Sequence, residues 1–318
     1  MEYRSLGRTG LKVSAVSYGS WLTFGRMSQS TVQTMVDTAL DQGINFLDTA
    51  DIYDKGLAEA LLGKALAGKN RQHLVIATKA YWAMSEDPND RGLSRKHLFE
   101  SCEASLRRLG TDYLDLYQCH RYDTETPLEE TVRAMGDLIA QGKILYWGTS
   151  MWSAEQLREA CRIADALQVP RPASEQPRYN LLHREIEQEV LPTCEQLGIG
   201  LIVWSPLGQG LLTGKYKRHQ EPPEGSRGQD REGIGRFLAD DLHEDRAFDL
   251  IEGLESLAES EGHSMVELAL AWCLRQKALS SVIVGATDPS QLANNVRAVQ
   301  LPWQSAWDAR LEQSWSST

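Results

Sequence analysis

The sequence predicts an α/β protein built as a closed parallel barrel of eight strands, (β/α)8, with a small N-terminal β-hairpin before it and extra C-terminal helices after it. Eight short apolar runs, each followed by a helical pattern, fit within 318 residues, the economy of a barrel rather than of a doubly wound sheet. Reactive side chains gather where three of those runs end: Asp48, Asp51 and Tyr53 after Phe46-Leu47, Lys79 after Ile76-Ala77-Thr78, and His120 after Leu116-Tyr117-Gln118-Cys119. Strand ends of a parallel barrel share one rim, so these exits describe one site. The dinucleotide fingerprint GxGxxG is absent; Gly198-Ile199-Gly200 comes nearest, but Leu201, Ile202 and Val203 deny it a third glycine and a helix start.

Taken in order, Gly7-Arg8-Thr9-Gly10 is a turn between two short extended runs, which makes the hairpin. A first strand ends near Tyr18, before Gly19-Ser20-Trp21, and a helix follows from Ser30 to Gln42 with Val32, Met35, Val36, Thr38, Ala39 and Leu40 inward. Phe46-Leu47 ends the second strand, and Leu57 to Ala67 is its helix. Strand His73 to Thr78 leads to helix Ser94 to Leu109. Strand Tyr113 to Cys119 leads to a helix opened by Thr126-Pro127-Leu128-Glu129, which reads as a cap, a first-position proline and an acid. Strand Ile144 to Trp147 precedes a capping box at Ser153-Ala154-Glu155-Gln156. A weaker strand at Ala173 to Gln176 precedes a helix over Glu185 to Leu197. Ile199 to Trp204 carries no charge and reads as a strand buried on both faces. An irregular stretch runs from Pro206 to Asp245, longer than an ordinary connection. Helices over Phe248 to Glu259 and Ser264 to Arg275, strand Ser281 to Val284, a helix capped by Asp288-Pro289, and a last helix over Ala306 to Trp315 complete a single domain spanning 1–318.

Bulk properties narrow the function. Hydrophobic content of 42% and mean hydropathy of -0.40 are ordinary for a soluble globular chain. A net charge of -11 disfavours a general nucleic-acid surface. Cys102, Cys119, Cys161, Cys194 and Cys273 are scattered and odd in number, which suits a reducing compartment. No secretory signal pattern opens the sequence and no apolar run is long enough to span a membrane, so the expectation is a cytoplasmic protein without membrane insertion. The histidines lack metal spacing, and Cys119 beside His120 faces the other side of an extended strand, so no metal site is expected. GxSxG is absent, which argues against an α/β-hydrolase.

At the rim, Tyr53 is a phenol able to donate a proton to an oxygen gaining charge, Lys79 an ammonium expected to favour the phenolate, and Asp48 the carboxylate that holds Lys79 charged and aimed. His120 can donate to a substrate carbonyl and set its angle. Singly, each residue has a plainer use as a turn cap, a surface lysine or a satisfied polar group. Together at successive strand ends they read as a site.

Beyond the rim, several strings give the sequence its resemblance: Gly19-Ser20-Trp21, Phe46-Leu47-Asp48-Thr49-Ala50-Asp51-Ile52-Tyr53, Arg91-Gly92-Leu93-Ser94-Arg95-Lys96-His97, Leu128-Glu129-Glu130-Thr131-Val132, Tyr146-Trp147-Gly148-Thr149-Ser150 and Trp204-Ser205-Pro206-Leu207. Spread over nearly the whole chain, they resemble the aldo-keto reductases, in the branch that holds the β subunits of voltage-gated potassium channels and their bacterial enzyme relatives. The resemblance implies a TIM barrel that reduces aldehydes and some ketones with NADPH, using Asp48, Tyr53, Lys79 and His120. Channel β subunits of that branch carry asparagine where this sequence has His120, a departure toward the enzymes.

The same resemblance implies a cofactor site. Ser150 and Gln176 would hold the nicotinamide carboxamide, Tyr179 or a close neighbour would stack, and Trp21 would lie close by. Trp204, Ser205, Pro206, Leu207, Gln209, Gly210, Lys215 and Arg227 would meet the phosphates, and Gly285, Thr287, Gln291 and Asn295 the adenosine end. Among nine tryptophans, Trp21 and Trp82 are expected to wall the substrate mouth with Arg121 or Tyr122. Residues 83–91 carry four formal charges and are expected to bend over it. The expected partner is a small carbonyl compound, with a homo-oligomer left open. A redox-responsive NADP(H)-binding interaction module with little turnover, and a lyase or isomerase without nicotinamide, are the competing readings.

Overall fold

The computed structural model describes residues 1–230, 235, 238 and 241–316. The hairpin forms from β1 (Tyr3–Ser5) and β2 (Lys12–Ser14), paired antiparallel. Its Gly7 has φ +55°, and a Cβ there would stand 2.3 Å from the Gly198 carbonyl oxygen and 2.6 Å from the Gly200 nitrogen. Glycine is therefore needed twice, for the turn and for the close approach. Ser280 donates to the Ser5 carbonyl and Ser281 to that of Ser14. The hairpin is thereby fastened beneath the barrel, where its Leu6 and Val13 join the interior cluster.

The barrel strands are β3 (Val16–Gly19), β4 (Phe46–Asp48), β5 (Val75–Ala80), β6 (Leu114–Cys119), β7 (Ile144–Thr149), β8 (Ser174–Glu175), β9 (Gly200–Val203) and β10 (Leu279–Val284). Neighbours pair in parallel, and β10 closes the ring against both β9 and β3. Alternation divides the side chains. Phe46, Val75, Ala77, Leu116 and Ile202 fill the interior, while Leu47, Ile76, Tyr117, Trp147 and Val203 pack outward under the helices. Asp48, Lys79 and Gln118 each lie two positions beyond an interior residue, which aims them inward at the carboxyl end. Cys119 has the opposite parity and is buried in the outer core.

Around the strands lie α1 (Gln29–Asp41), α2 (Leu57–Leu66), α3 (Arg95–Leu109), α4 (Leu128–Ala140), α5 (Ala154–Leu167), α6 (Val190–Leu197), α7 (Asp245–Glu261), α8 (Met265–Leu274), α9 (Pro289–Arg297) and α10 (Ser305–Ser316). The Ser153 capping box is present, as is the Asp288 cap with proline in the first turn. The start of α4 differs from expectation. Pro127 occupies the cap position, and the Thr126 hydroxyl instead donates to Asp123 Oδ2 at 2.7 Å. Asp123 also accepts from the backbone of Leu93 and Glu125, and this demand on the loop draws Thr126 away from the helix. The expected long helix before β9 is split: Glu185–Glu187 is a separate 3-10 turn, and α6 begins late enough to keep Pro192 in its first turn, where a missing N–H is harmless. The irregular stretch holds 3-10 turns at Gly208–Thr213, Arg227–Gln229 and Asp241–His243; its remaining part, at 231–234, 236–237 and 239–240, lies outside the described residues. Among the described residues no helix is long and apolar enough to cross a membrane.

Candidate active site

Four side chains converge at the carboxyl rim. Lys79 is fully buried, and its ammonium donates to Asp48 Oδ2 at 2.6 Å, to the Thr49 carbonyl at 2.8 Å and to the Tyr53 hydroxyl at 3.4 Å. Tyr53 is delivered by the turn that leaves β4, where Asp54 and Lys55 take positive φ and crowd the chain back toward the rim. Asp48 uses its other oxygen to accept from Gln176 Nε2 at 3.0 Å. His120 follows β6 immediately, its ring edge-on to Tyr53 at 5.8 Å between centroids. Its Nδ1 is buried without a partner among the described residues.

Burial dominates the electrostatics. It raises the Tyr53 phenol well above its ordinary value, and the Asp48 charge raises it further. In this structure burial outweighs the neighbouring Lys79, so Tyr53 holds its proton at neutral pH. Burial lowers the Lys79 ammonium, opposed by Asp48. Burial, then Lys79 and Arg121, lowers His120 well below its usual range, so the imidazole is neutral. Asp51, expected at the same mouth, is turned away from it. It is fully buried, accepts from Ser101 Oγ at 2.8 Å, and is pushed up to about 7 by burial and by Glu59.

Asp48, Tyr53 and His120, with Lys79 buried behind them, form one end of a cavity of about 1200 Å³, beyond the roughly 300–1,000 Å³ of a usual ligand pocket. From Tyr53 and His120 it passes Ser150 and Gln176, continues along Trp204 to Gly210, and reaches Lys215, Arg227, Gly285, Thr287, Gln291, Asn294 and Asn295. Trp21 links the two regions, stacked against Tyr53 at 6.2 Å and edge-on to Trp204 at 5.9 Å.

A family profile described as the aldo/keto reductase family matches residues 15–315. The chain belongs to the aldo/keto reductase family. A probable voltage-gated potassium channel subunit beta of Arabidopsis thaliana is 43% identical over 307 residues, covering 95% of this chain and 92% of its own. A protein of the same description from Oryza sativa subsp. japonica is 42% identical over the same shares. Membership carries NADPH-linked oxidoreductase character in general terms.

In this aldo/keto reductase two expected residues do not reach the cavity. Tyr179 is fully buried, stacks on Trp272 at 4.9 Å and donates its hydroxyl to Glu187 at 2.6 Å. It belongs to the packing of α8, and Trp204 is the aromatic wall instead. Tyr122 packs edge-on against Trp152 at 4.9 Å, while its neighbour Arg121 lines the cavity. Trp82 is there too, 41% exposed, beside Ala83; of the expected cover at 83–91, only Ala83 borders the cavity. The sequence reading missed Thr23, Arg26 and Val266 on the wall, which sit outside any strand-end pattern. It also missed Gln118, buried at the register of Lys79, whose Oε1 accepts weakly from Ser174 and Gln176 at 3.5 Å. Alternation from Leu116 marks that residue as inward. Among the described residues no cluster of three metal-ligating side chains occurs.

Proposed function

We propose that this aldo/keto reductase reduces aldehydes and some ketones to alcohols with NADPH, Tyr53 donating the proton. The observation behind the reading is the buried Asp48–Lys79–Tyr53 chain of 2.6 and 3.4 Å opening onto the cavity beside a neutral His120. The cavity suits the cofactor. Among the described residues no carboxylate lies within ion-pair range of Lys215 or Arg227, and burial lowers the basicity of both, an arrangement that gains from phosphate oxygens. Gly210, at φ +105°, leaves room where a Cβ would stand 2.7 Å from Lys215 Cε. Ser150 and Gln176 would hold the carboxamide, Trp204 and Trp21 the ring, and Thr287, Gln291 and Asn295 the adenosine. Bound there, NADPH would supply a hydride to the carbonyl carbon.

The chain's own residues do the rest. His120 donates to the carbonyl oxygen and fixes it within reach of the Tyr53 hydroxyl. Tyr53 passes its proton as that oxygen gains charge. Lys79, held by Asp48, then stabilises the phenolate that remains. Trp21 and Trp82 exclude water. A Tyr53→Phe variant removes the phenolic hydroxyl and keeps the ring, and its NADPH-linked reduction of a benzaldehyde should fall at least about 100-fold, the usual weight of a positioned acid. Equal turnover would remove Tyr53 from this role.

The relatives' names favour a second reading, an NADP(H)-binding interaction module with little turnover, since they align over 95% of the chain. His120 weighs against it. Tight NADPH binding without turnover across a carbonyl panel would establish the module and displace the reductase.

A further inference from the structure

Arg121, like Arg227, differs from the other partly buried arginines. Arg71 pairs with Asp115, Arg108 with Glu59, Arg178 with Asp241 and Arg275 with Glu187. No carboxylate among the described residues comes within ion-pair range of Arg121, although the protein carries a net charge of -11. Its guanidinium donates only through Nη1, to the His120 carbonyl at 2.5 Å and distantly to Ser150 Oγ at 3.5 Å. Nε and Nη2 have no acceptor among the described residues, and a guanidinium offers five N–H groups in a flat fork matched to carboxylate and phosphate.

We infer that Arg121 recognises an anionic group, carboxylate or phosphate, carried by the carbonyl substrate. The inference deepens the reductase reading and rests on it for the carbonyl, though not for the anion. Arg121 and His120 both line the cavity, and both lie against one ring: the guanidinium is 5.7 Å from the Trp82 centroid and the imidazole 6.4 Å. A compound with its carbonyl at His120 would extend along that indole and bring an acidic group a few bonds away to Arg121. The acids of the cavity do not forestall this. Asp48 is occupied by Lys79 and Gln176, and the Asp54 carboxyl is pressed against Gly25, where a Cβ would meet it at 2.2 Å. Glu175 acts on Arg121 only from beyond ion-pair range, and an ion partly removed from water without a direct counter-ion is costly, a cost that a substrate anion would relieve. Burial also lowers the basicity of Arg121, as it does for other desolvated cations here.

The test compares matched pairs: 4-carboxybenzaldehyde against 4-methylbenzaldehyde, and glyceraldehyde 3-phosphate against glyceraldehyde. In the wild type the anionic member of at least one pair should have a kcat/KM at least tenfold higher, and which pair responds separates carboxylate from phosphate. In Arg121→Met that ratio should fall to within about twofold of unity, with partial recovery in Arg121→Lys; Arg121→Gln replaces the Met variant should that one not fold. A wild-type ratio near unity in both pairs, or a ratio unchanged in the variants, overturns the inference while leaving the reductase intact. Should no carbonyl turn over, calorimetry decides, titrating 4-(hydroxymethyl)benzoate and 4-methylbenzyl alcohol with and without NADP⁺. At least tenfold tighter binding of the anion, lost in Arg121→Met, keeps anion recognition after the reductase reading has fallen. Equal affinities end it.

Discussion

Asp48 and Asp51 stand three positions apart and meet opposite environments. Asp48 faces an ammonium and an amide, whereas Asp51 lies against the outer helices with one oxygen on Ser101 and Oδ1 without a partner among the described residues. In the unfolded chain Asp51 loses its proton near 3.8, and in the fold near 7. Between those values the folded state holds the extra proton, so this contribution to stability is fully present below the lower value and disappears as pH rises through 7. Asp51→Asn keeps an acceptor for Ser101 and removes the charge. Its stability gain over the wild type, read by urea unfolding, should be larger at pH 8 than at pH 5 by up to about 3 kcal/mol, at roughly 1.4 kcal/mol per pH unit between 5 and 7. A pH-independent difference would show that Asp51 ionises normally. The four rim residues were legible because they fall at or just beyond the ends of three apolar runs. The state of the phenol was not, since the competition between Lys79, Asp48 and burial depends on depth. Tyr179 was misplaced for a related reason: whether a ring faces a cavity or a neighbouring helix depends on Trp272, ninety-three positions later.

Helix starts show how far local chemistry reaches. At α5 the Ser153 side chain accepts from Gln156 N at 3.2 Å and Gln156 Oε1 accepts from Ser153 N at 2.9 Å, a reciprocal pair written wholly within four residues. Ser153→Ala should cost about 1 kcal/mol in chemical denaturation. A loss well under half that would mean water replaces the hydroxyl. At α4 the same kind of string misleads, because Asp123 lies outside it and competes for Thr126. The two-residue β8 is short yet placed, since the barrel needs a strand between β7 and β9 and backbone pairing supplies it. Length and exact ends of such elements follow from neighbours rather than from their own residues.

At the scale of the molecule, ring closure joins β3 to β10, from Val16–Val282 to Tyr18–Val284. Nothing local in either strand names the other, so closure was legible only through the count of eight units and their uninterrupted alternation. The long cavity draws its walls from loops after many strands, so one ligand filling it ties those loops to a single folded state. NADPH at 100 times its Kd should stabilise the fold by about 2.7 kcal/mol, a rise in Tm of about 4 °C for a chain of this size. Scanning calorimetry should show it as a shift of one transition, and no shift at saturating NADPH would withdraw the cofactor assignment. The hairpin of β1 and β2, meanwhile, stoppers the barrel from below with Leu6 and Val13. Tyr53 is consequently reached from the opposite rim, where the cavity lies. A carbonyl substrate and NADPH would therefore meet Tyr53 from the same end of the barrel.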